Sequence, residues 1–276
     1  STAVTVNPLP STPILKQNAQ TICIDNSFDL TSIQPTPVSG ISYEWHVGTA
    51  SNSAVLSPTT IPAGTAAGTT RYYLFAKSTA GCFSSSAAED ALTIVSIPAP
   101  GVSSSNQQYN LGATPTALSA VSSNGYELRW WNAASSGTLL SAPVLPLTSP
   151  VGVVNYYVDQ FDRNGSSCAS PRQLVTVTII PNGPDISNNT RINGNVIAYC
   201  QNAVPATLTA SGTGLKWYTT STGGTSTTTA PTPSTASVGT ISYYVSQTVS
   251  GSESPRSEIQ VSVSASVATP SLTITQ

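Results

Sequence analysis

Charged side chains are scarce in this sequence. They make up only 7% of its 276 residues, and nine lysines and arginines against eleven acidic residues leave a formal net charge of −2. Proteins that bind nucleic acid carry a concentrated positive patch, because phosphate contacts supply much of their affinity. We therefore exclude nucleic acid as a partner.

Histidine and methionine are nearly or entirely missing. His46 is the single histidine, and no methionine occurs. The sequence also has no CxxC pair, no HExxH, no Gly-x-Ser-x-Gly elbow and no phosphate-binding loop. Its acidic residues are too thinly spread for a calcium loop. We therefore expect no metal, no cofactor and no enzymatic activity.

Long apolar runs are missing as well. No stretch approaches the roughly 20 residues that a helix needs to cross a bilayer, and no signal peptide opens the sequence. We therefore expect no membrane insertion. The sequence also starts without methionine, and its two ends resemble parts of a repeat, so we expect it to be the middle of a longer array.

Serine, threonine, glycine and proline take the place of the missing charge, and short runs of valine, isoleucine, leucine and tyrosine lie between them. This vocabulary is typical of strands and turns. A hydrophobic content of 39% with a low net charge argues against disorder. The composition therefore predicts a folded, all-β protein.

A repeat of about 85 residues organises the chain. Three tryptophans in short alternating runs lie 85 and 87 residues apart, and a pair of tyrosines follows each after 26 or 27 residues. The spacing predicts that these side chains fill three equivalent cores. The core aromatics are Trp45, Trp130, Trp217, Tyr72, Tyr156 and Tyr243.

The pattern of each repeat predicts a two-sheet sandwich. Alternating runs that follow the tyrosines predict a closing hairpin, and the Pro/Thr/Gly stretches before them predict edges and loops. We therefore predict three tandem immunoglobulin-like β-sandwich domains in an extended array. Their boundaries are 8–98, 99–182 and 183–266, with the end strand of a preceding repeat or an N-terminal arm at 1–7 and the linker and start of a following repeat at 267–276.

Trp131 stands apart from the other tryptophans because the first repeat has no aromatic equivalent. Two interpretations of this residue stay open. It is part of the packing, or it is a flat platform on which a sugar ring stacks.

Four cysteines with so little charge favour an oxidising, extracellular compartment. Cys23 would open the second strand of the first repeat, and Cys82 lies in its hairpin, so we predict a structural disulfide between them, with two free thiols as the alternative. Cys168 and Cys200 are expected to be unpaired. They belong to successive repeats of an extended array, about one domain length apart, whereas a disulfide needs Cα atoms within about 7 Å.

The third repeat carries the most specific resemblance. Its quoted segments are Ala203–Ala210, Leu215–Thr220, Gly223–Thr225, Ala230–Pro233, Tyr243–Gln247 and Glu253–Arg256. Their order and spacing resemble the immunoglobulin-like repeats of large Bacteroidetes cell-surface adhesins, and the second repeat shares the pattern through Cys168–Arg172. The usual cysteine pair of that family matches Cys23 and Cys82, whereas Tyr109 and Ser252 depart from it.

The resemblance implies an extracellular stalk or spacer, typically exported by the type IX secretion system and found in adhesins of gliding bacteria, with neighbouring repeats as its first partners. Two alternatives stay open. One is a glycan-binding module of a polysaccharide-degrading protein, and the other is a filament subunit that assembles by strand addition. Surface glycan or other cell-surface proteins would then be further partners. A glycosidase with paired carboxylates is left open by composition, although three copies of one small module rarely build such a cleft.

Overall fold

The computed structural model of the chain describes residues 6–123, 125–163, 165–187, 189 and 196–266. Within these ranges the chain forms seventeen β-strands and one short 3-10 helix, Leu30–Ile33. The fold is all-β, as predicted. Of the two expected end segments, residues 1–5 and 267–276 lie outside the described residues.

The first repeat has one well-formed sheet and one small one. Its strands are β1 (Thr21–Cys23), β2 (Phe28–Asp29), β3 (Ile41–His46), β4 (Thr60–Ile61), β5 (Gly68–Ser78) and β6 (Ala88–Val95). The larger sheet has the order β1-β6-β5-β3, and β2 pairs with β4 in the second layer.

The other two repeats keep the larger sheet. The second has β7 (Asn106–Asn110), β8 (Glu127–Trp131), β9 (Leu139–Leu140), β10 (Gly152–Phe161) and β11 (Gln173–Ile180), in the order β7-β11-β10-β8-β9. The third has β12 (Val196–Cys200), β13 (Lys216–Tyr218), β14 (Gly239–Ser246), β15 (Thr248–Val249), β16 (Ser252–Glu253) and β17 (Ser257–Ser264). Its sheets have the orders β12-β17-β14-β13 and β15-β16.

The second layer of the sandwich is thin in the later repeats. A buried leucine holds it in both: the N–H of Leu118 donates to Val144 O at 2.8 Å, and the N–H of Leu208 donates to Pro231 O at 2.9 Å. Proline and glycine are frequent in these segments, and proline cannot donate to a ladder. Hydrogen-bonded leucines therefore replace continuous strands there.

In every repeat the first strand lies parallel to the last. β1 runs beside β6 with Cys23 opposite Val95, and β12 runs beside β17 with Cys200 opposite Ser264. Cys23 therefore does not open a second strand of the opposite layer, as its position in the sequence suggested. It ends an edge strand at the point where the chain leaves the first repeat.

The same register corrects the equivalence of Tyr109. In the parallel pair of β7 and β11, Tyr109 lies opposite the buried Ile179, and Asn110 lies opposite Ile180. Asn110, rather than Tyr109, thus occupies the position of Cys23. Tyr109 has a local role instead, because its hydroxyl accepts the backbone N–H of Thr116 at 3.3 Å.

The expected aromatic residues lie in or against the cores. Trp45, Trp130 and Trp217 are 2, 5 and 2% exposed, Tyr72 and Tyr156 are buried, and Tyr243 packs against the third core. Trp45 faces Leu74 and Trp217 faces Val245 across equivalent antiparallel pairs. This register shows why the tryptophan-to-tyrosine spacing recurs.

One core position breaks the pattern. Asp90 lies opposite Tyr72, where the third repeat has Ile259 opposite Tyr243. The Asp90 side chain is fully buried. Burial raises the pKa of its carboxyl, and the backbone of Ala19 opposes that shift only in part. The first core therefore contains a carboxyl group at the position where the third core has the apolar side chain of Ile259.

By their contacts the residues group into two compact units. One contains 1–103, 120–142 and 157–173, and the other contains 104–119, 143–156 and 174–276. The second repeat thus contributes residues to both units.

Candidate functional site

A disulfide joins the first repeat to the second. Cys23 is bonded to Cys168, with Cα atoms 5.4 Å apart, across a sequence separation of 145 residues. Cys82 is a half-buried free thiol, and Cys200 is an exposed one. The expected Cys23–Cys82 bond is therefore wrong, and so is the expectation that Cys168 is unpaired. The expectation that Cys200 is unpaired agrees with the structure.

Strand direction explains this pairing. Cys23 lies beside the last residue of β6, whereas Cys82 lies in the turn that precedes β6. β6 has eight residues, so its two ends are about 23 Å apart at about 3.3 Å per residue. A bond within the first repeat would therefore have to span the length of a strand. Cys168 lies in the turn at the corresponding entry end of the second repeat, where the linker arrives.

The linker itself is clamped by a glutamine. Gln160 is fully buried, its amide donates to Pro98 O at 2.6 Å, and its side-chain oxygen accepts the N–H of Ser123 at 2.8 Å. Ser170 fixes the glutamine backbone, because its hydroxyl accepts the Gln160 N–H at 3.0 Å. The first junction is thus closed by a covalent bond and by a buried amide.

The second junction repeats the clamp. The amide of Gln247 donates to Asn182 O at 2.8 Å, and its oxygen accepts the N–H of Thr213 at 3.0 Å. The hydroxyl of Ser254 accepts the Gln247 N–H at 3.0 Å. The first repeat has Ala76 where the later repeats have these glutamines. The backbone shows the equivalence, because the Ser84 N–H donates to Ala76 O as the Ser170 N–H donates to Gln160 O.

Among the described residues, no disulfide closes the second junction. The positions that correspond to Cys23 and Cys168 hold Asn110 and Ser252. A hydrogen bond holds the linker there instead, because the Asn182 amide also donates to Leu111 O, directly after Asn110, at 3.2 Å. Asn182 therefore connects the clamp to the end of the edge strand.

A second cluster surrounds Trp131, on the sheet face opposite the core tryptophan. The indole N–H of Trp131 donates to Asp159 at 2.9 Å, and Arg129 binds the same carboxylate with two hydrogen bonds at 2.9 and 3.1 Å. The guanidinium of Arg172 lies 3.9 Å from the centroid of the Trp131 ring. The polar edge of the ring and one of its faces are therefore already engaged.

Tyr218 is the counterpart of Trp131 in the third repeat. Its hydroxyl donates to Glu253 at 2.6 Å, and the Arg256 guanidinium lies 3.3 Å from its ring centroid. Lys216 and Ser246 also donate to Glu253, at 2.8 and 2.6 Å. The donors lower the pKa of Glu253 from 4.5 to about 2, with the hydrogen bond from Lys216 as the first cause.

Both arginines also fasten a turn. Arg172 donates to Ala133 O and Ser136 O at 2.6 and 2.7 Å. Arg256 donates to Thr220 O and Gly223 O at 2.6 and 2.9 Å. The sequence repeats Ser-Pro-Arg at these sites, and this repeat is the signal from which the buried serine and the arginine could have been found together.

The first repeat fills the same position with His46. This side chain is 1% exposed, its Nδ1 lies 3.0 Å from Ser53 O, and the rings of Phe75 and Phe83 contact it edge-on. Ser86 stands where the other repeats have arginine. The outer face of the sheet thus carries an ion pair in all three repeats, Lys77 with Glu44 in the first, and the first repeat adds an aromatic cluster around His46.

The described residues contain no group of three or more His, Cys, Asp or Glu side chains that could hold a metal ion. In the same part of the chain no helix is long and apolar enough to cross a membrane.

The solved structures that match the chain share little sequence with it. The first four immunoglobulin domains of Sidekick-1 are 14% identical over 91% of this chain and 76% of theirs, with a TM-score of 0.30. The fibronectin(III)-like modules of Clostridium thermocellum CbhA are 13% identical over 62% of this chain and 95% of theirs, with a TM-score of 0.30. The insect immune protein hemolin is 9% identical over 92% of this chain and 78% of its own, with a TM-score of 0.28. At these values the likenesses carry no functional argument.

No curated protein matches the chain. The family model described as "Ig-like domain CHU_C associated" matches three times, at residues 10–95, 98–181 and 188–264. These matches cover nearly all of the sequence and reproduce its repeat. The chain therefore belongs to the family of Ig-like domains associated with CHU_C, as three tandem members.

Proposed function

We propose that this chain is an extracellular spacer of an adhesive surface protein, in which the bond between the first two repeats limits how far the chain can be stretched. The Cys23–Cys168 bond carries the proposal. A force applied to the two chain ends passes through this bond, so the residues between the cysteines bear no extending load.

The bond also stabilises both repeats. On the chain-entropy model, closing a loop of 145 residues stabilises the folded state by about 5 kcal/mol. Disulfides persist in oxidising compartments, which supports an extracellular location. The resemblance to Bacteroidetes repeats extends the proposal to a protein exported by type IX secretion and used for attachment or gliding.

The experiment is single-molecule force spectroscopy of the whole chain, held by handles at its two ends. In the oxidised protein, the extension released by unfolding should lack the contribution of 145 residues, about 500 Å at about 3.5 Å per residue. Reduction, or the double variant Cys23→Ser with Cys168→Ser, should restore it. Cys200→Ser is the matched control and should behave as the unaltered chain.

An oxidised protein that extends by the same length as the double variant would rule out the mechanical role. The oxidised Cys200→Ser variant should extend less than the double variant, as the unaltered chain does, because Cys200 takes no part in the bond.

Glycan binding is the less favoured alternative. Stacking needs a free aromatic face. Two guanidinium groups lie over the Trp131 ring, that of Arg172 at 3.9 Å and that of Arg129 at 5.3 Å from its centroid. The indole N–H is also engaged, because it donates to Asp159. We propose that Trp131 is a structural residue of the second repeat. Specific retention of the intact chain on a glycan array, lost in Trp131→Ala, would reverse this assignment.

A further inference from the structure

The core of the first repeat contains a fully buried carboxyl group. Asp90 of β6 is 0% exposed, on the same face of the strand as the buried Leu92 and Ile94. Among the described residues, neither of its carboxyl oxygens has a hydrogen-bond partner. A buried charge is costly unless it is paired and hydrogen-bonded. The folded repeat therefore favours the neutral, protonated form of Asp90.

The side chain that faces Asp90 across the sheet is neutral as well. Tyr72 of β5 lies opposite it, and burial raises the pKa of the Tyr72 hydroxyl above its ordinary value of 10.0. The charged side chains of the neighbouring elements pair with one another or are exposed. They are Arg71 with Glu89, Lys77 with Glu44, and Lys16, Asp25 and Asp29. Within the described part of the chain, no charged side chain therefore stabilises the ionised form of Asp90.

The one group that favours the ionised form belongs to the segment that leads into β1. The backbone N–H of Ala19 lowers the pKa of Asp90, although it does not complete a hydrogen bond. Ala19 holds a left-handed backbone conformation, with φ of 62°, which is uncommon for a residue that has a Cβ. The carbonyl of the next residue, Gln20, accepts the N–H of Thr93 in β6 at 2.8 Å. Asp90 thus lies beside the start of the contact between β1 and β6.

β1 is the weakest strand of this sheet. It has three residues, lies at the sheet edge and pairs with β6 alone. Short segments at an edge open at a lower free energy than the strands in the middle of a sheet. Separation of β1 from β6 is therefore the least costly way for water to reach the Asp90 carboxyl.

We propose that the charge on Asp90 makes the attachment of β1 to β6 sensitive to pH, firm when the carboxyl is neutral and loose when it is ionised. Because β1 ends at Cys23, the carboxyl acts on the strand that carries the bond to the second repeat. The inference does not depend on the mechanical role proposed above.

The direction of the effect follows from the pKa of Asp90. Burial raises this pKa above its ordinary value of 3.8. A carboxyl whose pKa is raised by folding stabilises the folded state below the ordinary value, and this contribution is lost as the pH rises through the folded value. The first repeat should therefore be held most firmly in acid and should loosen as the pH rises.

The test compares the unaltered chain with Asp90→Asn, which has nearly the same shape and no charge at any pH. Amide hydrogen exchange is measured between about pH 3 and about pH 7, and each rate is divided by the intrinsic rate at that pH, so that protection reports opening. Peptides covering Thr21–Cys23 and Ala88–Val95 report the attachment of β1. Mapping of the Cys23–Cys168 bond checks that the proteins have folded. Asp90→Val is the second variant, since a β-branched apolar side chain suits a buried strand position.

We expect the protection of these two strands in the unaltered chain, relative to either variant, to fall about tenfold over this range, because a pKa difference of one between folded and unfolded states corresponds to a tenfold change in the equilibrium. The protection of β14 and β17 in the third repeat should be the same in all three proteins at each pH. A ratio that stays constant with pH, a ratio that rises with pH, or a change that leaves β1 unaffected would each overturn the proposal.

Discussion

The two junctions of this chain share one device and differ in another. Both clamp the arriving linker with a glutamine, Gln160 at the first and Gln247 at the second. Only the first adds a covalent bond, because the equivalent positions at the second are Asn110 and Ser252. The hydrogen-bonded clamp is therefore the common feature of the junctions, and the disulfide is an addition that one junction carries.

This difference follows from where the cysteines lie. Cys23 ends an edge strand, and Cys168 lies in a turn, where it is 1% exposed. Both cysteines therefore lie at the ends of their repeats, where the junction forms. At the second junction the Asn182 amide holds the end of the edge strand through Leu111.

The largest expected effect comes from moving the covalent bond. Asn110→Cys with Ser252→Cys, in a chain whose Cys82 and Cys200 are serines, should form a disulfide that closes the second junction. The new bond should raise the free energy of unfolding by about 2–4 kcal/mol, the usual range for such bonds. Peptide mapping and denaturant unfolding with and without reductant would measure both results.

The matched control tests the register. Tyr109→Cys with Ser252→Cys places the thiol one residue earlier, where the side chain points to the other face of the strand. It should form no bond. A bond at position 109 and none at 110 would show that the equivalence of the two junctions is wrong.

The overall fold was accessible from the sequence, whereas the bond between repeats was not. The tryptophan-to-tyrosine spacing records an antiparallel register, so three sandwiches followed from Trp45, Trp130 and Trp217. Thr21–Cys23, by contrast, is a three-residue strand with too few positions to show which layer it joins. Its parallel direction decides at which end of the repeat Cys23 lies, and that direction is set by tertiary pairing.

The linker clamp left a partial signal. Gln160 and Gln247 each follow the second tyrosine of their pair by three residues, and Ser-Pro-Arg follows in both repeats. Ala76 in the first repeat interrupts this pattern. The partners of the glutamines are backbone groups of the linker and a loop, and such partners leave no mark in a sequence.

The glutamine clamp should contribute more to the free energy of unfolding at the first junction than at the second. Gln160→Leu leaves Pro98 O and the Ser123 N–H without their partner in a fully buried site, whereas Gln247 is only half-buried. We expect losses of about 2 kcal/mol for Gln160→Leu and about 1 kcal/mol for Gln247→Leu, because an unpaired buried polar group costs about 1–3 kcal/mol.

Denaturant unfolding in the oxidised state would measure these losses, with the exposed Gln173→Leu as the control. Equal losses at the two glutamines would show that the disulfide, rather than burial, sets the strength of the first junction.

The smallest effect concerns pH at the entry end of the third repeat. Glu253 follows Ser252, and donors from Lys216, Tyr218 and Ser246 hold its pKa at about 2, against an ordinary value of 4.5. A carboxyl whose pKa is lowered by folding stabilises the folded state above the ordinary pKa and loses that contribution as the pH falls towards the folded value. The third repeat should therefore lose stability between about pH 5 and pH 2.

Solvent limits the size of this effect, since about a third of the Glu253 side chain is exposed, and we expect at most about 1 kcal/mol. Glu253→Gln should remove most of this pH dependence while keeping an oxygen that accepts from Tyr218. Thermal unfolding of both proteins across this pH range would measure the difference. Parallel curves would mean that the ion pair contributes nothing to the stability of the third repeat, and that the Gln247 clamp and the Arg256 contacts stabilise its entry end without it.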